Sequence, residues 1–176
     1  NTLIEVVPGK VSGVPIIKGT RIPVSAIMDN FNAGVSPEDI ADLYDGLDVE
    51  TVEAVIREAV RRVLLDHSVP RPVVRILSAH VVVRAYERGW QALKNGELLA
   101  AVEGPGFEVF VTADQNLRYQ QNLQATRLAI VVIGTNIWPV IAADPLPIAR
   151  AVASAQPGAV AVVPYPKAPR LRGPQP

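Results

Sequence analysis

The sequence predicts an α/β chain, in which a small helical unit is followed by a parallel sheet of strands alternating with helices. Three observations carry this expectation. First, beyond residue 62, short and mostly apolar runs at 63–66, 81–84, 107–112, 128–133 and 159–163 alternate with amphipathic stretches. Strands that are apolar throughout, rather than every second residue, are those covered on both faces by crossover helices. Second, before the first of these runs the apolar positions Val52, Val55, Ile56, Ala59, Val60 and Val63 recur at helical spacing. Third, Val is the commonest residue and Cys is absent, so the core is β-branched and neither disulfides nor thiolate sites contribute.

Each element follows in order. Residues 3–24 are apolar but broken by Pro8-Gly9, Gly13 and Pro15, and read as a small hairpin or extended arm. A first helix over 25–33 is closed by Gly34. Ser36-Pro37-Glu38-Asp39 opens a second, running to about Tyr44, with Ser36 as the cap and Pro37 in the first turn. The turn 45–48 delivers Asp48 as cap of a third helix over 49–62, with Glu53, Arg57 and Arg61 on its polar face. Helix, Gly-containing turn, helix is the helix-turn-helix arrangement. In the second half the helical stretches are 71–79, 95–102, 115–123 and a segment opened by Asp144-Pro145. No linker separates the halves, so the expected domains are 1–62 and 63–163, followed by a Pro-rich tail, 164–176.

The chain has 176 residues, 49% of them hydrophobic and 19% charged, which suits packed globular units. Its longest aliphatic run, 128–133, is far short of the ~18 residues a membrane helix needs, so no membrane partner is expected. No basic-then-apolar start of the signal-peptide kind is seen, and the composition permits a cytoplasmic location. The chain opens at Asn1 rather than Met, which leaves room for a segment upstream. The net charge of zero divides unevenly. Residues 1–62 hold six Lys and Arg against ten Asp and Glu, and the remainder hold eleven against seven. Opposite signs predict a contact between the halves, and a basic second half suits an anionic substrate. The missing linker predicts a homo-oligomer, because the first half has no slack to reach the far edge of its own second half.

The second half has few carboxylates, so their positions carry information. Asp66 ends the first strand, Asp114 lies just beyond the third, and Glu97 stands in the first turn of the helix at 95–102. Strand ends and helix starts share one edge of a parallel sheet, where ligands bind. Convergence of three carboxylates is unfavourable without a cation, and an oxygen-only donor set suits Mg²⁺ or Mn²⁺. On that reading Asp66→Asn relieves repulsion and raises the stability of the metal-free protein. The same residues are also what turns and helix caps use. His67 beside Asp66, and the polar run Asn116, Tyr119, Gln120, Gln121 and Asn122, are positioned to touch substrate or water, or else to form a solvated face.

These residues carry two resemblances. The run Gly13-Val14-Pro15-Ile16-Ile17-Lys18-Gly19-Thr20-Arg21-Ile22-Pro23-Val24, with Gly34, Ser36, Glu38, Ile40 and Tyr44, resembles the domain-of-unknown-function 433 family of VapB-like antitoxins. That implies a helix-turn-helix binding operator DNA, with the helix from Val49 reading it and Arg57, Arg61 and Arg62 as contacts. Leu64-Leu65-Asp66-His67, Gly89-Trp90, Asn95-Gly96-Glu97-Leu98-Leu99 and the stretch from Thr112 to Leu123 resemble PIN-like toxins of the VapC group. That implies a Mg²⁺- or Mn²⁺-dependent ribonuclease acting on RNA, with Asp66, Glu97 and Asp114 as metal ligands. Asn116 stands close to the place where many PIN domains have a fourth acidic residue, and His67, Tyr119 and Gln120, from their positions beside Asp66 and Asp114, are the expected RNA contacts. The expectation is a fused toxin–antitoxin. The rival is a DNA-binding regulator that uses its second half as a non-catalytic scaffold for dimerisation or RNA binding.

Overall fold

The structure is a computed structural model and describes residues 2–93, 95–117 and 126–166. Tyr119, Gln120, Gln121 and Asn122 lie outside the described residues, as do most of the helix expected over 115–123 and most of the tail. The chain opens with β1 (Ile4–Glu5) antiparallel to β2 (Ile16–Ile17), the expected hairpin arm. Three helices follow, α1 (Val24–Asn32), α2 (Pro37–Asp42) and α3 (Val49–Ala59). Ser36 Oγ accepts the Asp39 N–H at 3.1 Å and Asp48 Oδ1 accepts the Thr51 N–H at 2.6 Å, so both caps fall where local chemistry places them. The Thr51 hydroxyl and its backbone N–H hold the Asp48 carboxyl below its usual range. Ile27, Met28, Ile40, Val52 and Val55 close the core among these helices.

The third helix is shorter than its apolar spacing predicts. It ends at Ala59, Val60 turns extended (φ −63°, ψ 124°), and Arg61 and Arg62 leave the helix. The cause is tertiary. The Arg61 and Arg62 carbonyls accept the N–H groups of Val81 and Glu108 at 2.9 Å, so the sheet takes this backbone before the helix can extend over it.

The sheet comprises β3 (Arg62–Leu65), β4 (Val81–Arg84), β5 (Val109–Thr112), β6 (Ala129–Ile133) and β7 (Val160–Val163). All neighbours are parallel, in the order β4-β3-β5-β6-β7. The period of two divides their side chains between two cores. Val63, Leu65, Val109, Val111, Val131 and Ile133 face one layer of helices, α4 (Val73–Ile76), α6 (Trp138–Ala143) and α7 (Leu146–Ala153). Leu64, Phe110, Ile130 and Val132 face the other, where α5 (Asn95–Glu103) supplies Leu98 and Val102. The α/β class and all five strands therefore agree with the sequence. The helix expected over 71–79 contracts to four residues between Pro72 and Leu77, and α6 had no counterpart among the expected elements. Among the described residues no helix is long and apolar enough to cross a membrane.

Gly134 closes β6 with its N–H on the Val163 carbonyl at 2.7 Å. A Cβ there would stand 2.9 Å from both the Tyr165 nitrogen and the Val163 oxygen, which are backbone atoms with little room to yield. Gly134→Ala is expected to cost about 1–3 kcal/mol by overpacking. An unchanged denaturant midpoint would show that the β6–β7 ends are not this close.

The two halves meet at the amino-terminal edge of the sheet. His80 Nδ1 accepts the Arg61 N–H at 3.1 Å, the Arg61 guanidinium lies 3.4 Å from Glu108, and Ser78 Oγ donates to Asn32 Oδ1 at 3.3 Å. Ala79 enters the core of the helical unit, and α1 packs on α7. The ion pair at this seam joins a base of the first half to an acid of the second, the reverse of their net charges.

Candidate active site

In this strand order the winding of the sheet reverses between β3 and β5: the connection after β3 leads to β4 on one side, and the strands after β5 lie on the other. Such a switch point opens a crevice at the carboxyl ends of the two strands. Asp66 immediately follows β3. Asp114 stands two residues beyond the end of β5, after Ala113.

The Asp66 side chain is buried, 5% exposed, and is held from four directions. Its Oδ1 accepts the His67 N–H at 2.8 Å and lies 2.7 Å from His67 Nδ1. Its Oδ2 accepts the Ser68 hydroxyl at 2.6 Å and the Thr112 hydroxyl at 2.9 Å. Those hydroxyls in turn accept backbone N–H groups at the end of β5. Ser68 Oγ takes that of Ala113 and Thr112 Oγ1 that of Asp114, each at 3.0 Å. The two strand ends are thus tied by Ser68 and Thr112, with Asp66 at the centre. A buried carboxylate is tolerable only with such donors around it.

The other expected residues fall as follows. Asp114 is half-buried and its Oδ1 accepts the N–H of Asn116, which is exposed. Glu97 is exposed in the first turn of α5. Among the described residues, no three His, Cys, Asp or Glu side chains form a group that could hold a metal ion. Asp66 and Asp114 are the two joined through Thr112. His67 is an exposed side chain leaning on Asp66. Arg57 alone of the three expected DNA contacts lies on α3, where it is exposed and pairs with Glu53 at 3.7 Å. Arg61 is committed to the seam, and Arg62 opens β3 with its guanidinium 5.7 Å from the Phe107 ring centre. Ser68 and Thr112 were not singled out from sequence. The available signal was their offset of two from Asp66 and Asp114.

The site lies on the edge opposite the seam. Asp66 and Asp114 follow the strand ends, whereas His80, Arg61 and Glu108 precede the strand starts. The helical unit therefore does not cover the crevice of its own chain. No curated protein and no solved structure matches the chain. A family match covers its first unit: residues 4–59, the hairpin arm and its three helices, match the family described as protein of unknown function (DUF433).

Proposed function

We propose that the chain is a toxin–antitoxin fusion, in which a PIN-like second half cleaves RNA and the helical first half regulates it. The observation that carries this reading is Asp66, a buried carboxylate at a topological switch point, locked by Ser68 and Thr112 to the strand end that bears Asp114. Oxygen donors without any thiolate fit Mg²⁺ or Mn²⁺. Mg²⁺ commonly keeps several waters and uses only one or two carboxylates with substrate phosphates, so Asp66 and Asp114 suffice as protein ligands. When bound, the cation supplies charge neutralisation and an activated water. The chain's own residues do the positioning. Ser68 and Thr112 fix the Asp66 carboxylate so that it does not rotate away, and the Asn116 N–H orients Asp114. Restraint by the first half comes from a neighbouring copy, since its own crevice is out of reach, and this rests on a homo-oligomer. The DNA-reading role of α3 rests on Arg57.

Asp66→Asn tests the reading. Cleavage of a labelled RNA with Mg²⁺ or Mn²⁺ is expected to fall by about a hundredfold or more, because several kcal/mol of charge stabilisation are lost. Stability is expected to fall as well, by about 1–3 kcal/mol, because an amide cannot accept from all three donors. That reverses the sign expected from charge repulsion alone, and the donors around Asp66 are the reason. Equal Mn²⁺ thermal shifts in wild type and variant, with no cleavage by either, would discard the nuclease and leave the DNA-binding regulator.

A further inference from the structure

We propose a binding site for the phosphate backbone of single-stranded RNA in the arginine-lined cavity beside the crevice, a proposal that rests on the ribonuclease reading above. The cavity has a volume of about 440 Å³ and is lined by Arg71, Pro72, Val74, Arg75, Arg84 and Glu87. Three guanidiniums face one carboxylate there, leaving a surplus of two positive charges. Among the described residues none of the three arginines is ion-paired. Glu87 is turned to the backbone, where it accepts the Arg84 N–H at 3.2 Å. Like charges gathered without ion-pair partners repel, and an anion relieves this. The guanidinium fork matches phosphate oxygens in particular.

The position of the cavity argues for nucleic acid rather than a free ion. Arg84 ends β4 directly opposite Leu65, the residue before Asp66, so it stands on the same sheet edge as the proposed cleavage site. Arg71 lies just before α4 and Arg75 within it, on the segment that leaves Asp66. Next to them Tyr86 is 64% exposed, with the Arg84 guanidinium 6.0 Å from its ring centre. Exposed aromatic rings beside a basic groove are how single strands are held, by stacking bases while arginines take the backbone. A strand seated on Arg71, Arg75 and Tyr86 is led along this edge toward Asp66.

The test uses the full chain, a fluorescent unstructured RNA of about 12 nucleotides, and EDTA so that nothing is cleaved. Anisotropy titrations across a range of salt are expected to give salt-dependent binding. Arg71→Gln with Arg75→Gln should weaken it by about tenfold or more and make the log–log salt slope shallower by about 1.4, for two phosphate contacts. Tyr86→Ala should weaken binding about fivefold or more with the slope unchanged. Lys18→Gln with Arg21→Gln, the same charge change on exposed residues of the helical unit, should alter neither. The proposal is overturned if wild type does not bind, if the Arg71/Arg75 variant keeps the wild-type affinity and slope, or if the Lys18/Arg21 variant loses as much. Unchanged KM for cleavage in the Arg71/Arg75 variant sinks the proposal and leaves the nuclease standing. Binding through these residues with no cleavage under any metal sinks the nuclease alone.

Discussion

Phe110→Ala is expected to lower the free energy of unfolding by about 3–5 kcal/mol, the range for deleting a large side chain from a packed core. Phe110 is 2% exposed in the central strand β5, among Leu64, Leu98, Val102, Leu117 and Ile130. Its neighbours come from strands on both sides and from α5, so no single element can move in to fill the space. Urea unfolding measures the loss. Leu43→Ala, at a side chain 60% exposed, provides the contrast and should change stability by about 0.5 kcal/mol or less. The loss has a functional side, because β5 ends at Thr112, which holds Asp66. A loss for Phe110→Ala no larger than that for Leu43→Ala would mean that α5 does not pack on the sheet as described.

Acidification is expected to weaken the fold through His80. Burial, reinforced by the nearby Arg61 charge and only partly opposed by Glu108, pushes its imidazole down to about 4. In the unfolded chain it titrates near ~6.5. Between those values the unfolded chain binds a proton that the folded protein refuses. The stability from neutral His80 is complete above about pH 6.5 and is lost as pH falls toward about 4. The loss amounts to about 2–3 kcal/mol, somewhat below the full shift because the ring is only partly buried. The geometry gives the reason: Nδ1 must stay unprotonated to accept the Arg61 N–H at 3.1 Å. His80→Asn offers an oxygen to the same N–H and has no proton to gain. Unfolding free energies at stepped pH should therefore fall less steeply in the variant than in wild type between pH ~6.5 and ~4. Parallel profiles would assign the acid sensitivity elsewhere.

Much of the secondary structure was legible because it is set by local chemistry. Ser36 and Asp48 satisfy the backbone three residues on, whatever the rest of the chain does. The five strands announced themselves as apolar runs; β3, β5 and β6 are buried between the two helix layers, while the edge strands β4 and β7 keep the apolar run but expose Val81, Val160 and Val162. Failures came where local signals were overridden or missing. The apolar spacing of α3 runs on through Val63, yet Arg61 and Arg62 have carbonyls that the sheet takes. The stretch from Trp138 to Ala143 has no side-chain cap to mark its start, yet it forms α6 over the sheet face.

The site was half legible, for a similar reason. By itself the sequence determined that Asp66 and Asp114 follow the carboxyl ends of strands of a parallel sheet, because strand runs and direction are local patterns plus a handedness rule. It also determined the likeness of the first unit to a known family, through the run from Gly13 to Val24. Only the tertiary structure decided strand order, and strand order decides which two ends flank a switch point. It brought Thr112 and the end of β5 onto Asp66 and Ser68, turned Arg61 and Arg62 from the expected DNA face to the sheet, and gathered Arg71 and Arg75 with Arg84 into one cavity. Each of these depends on contacts between residues distant in sequence, and such contacts are fixed by the packing of whole layers rather than by any residue's neighbours along the chain.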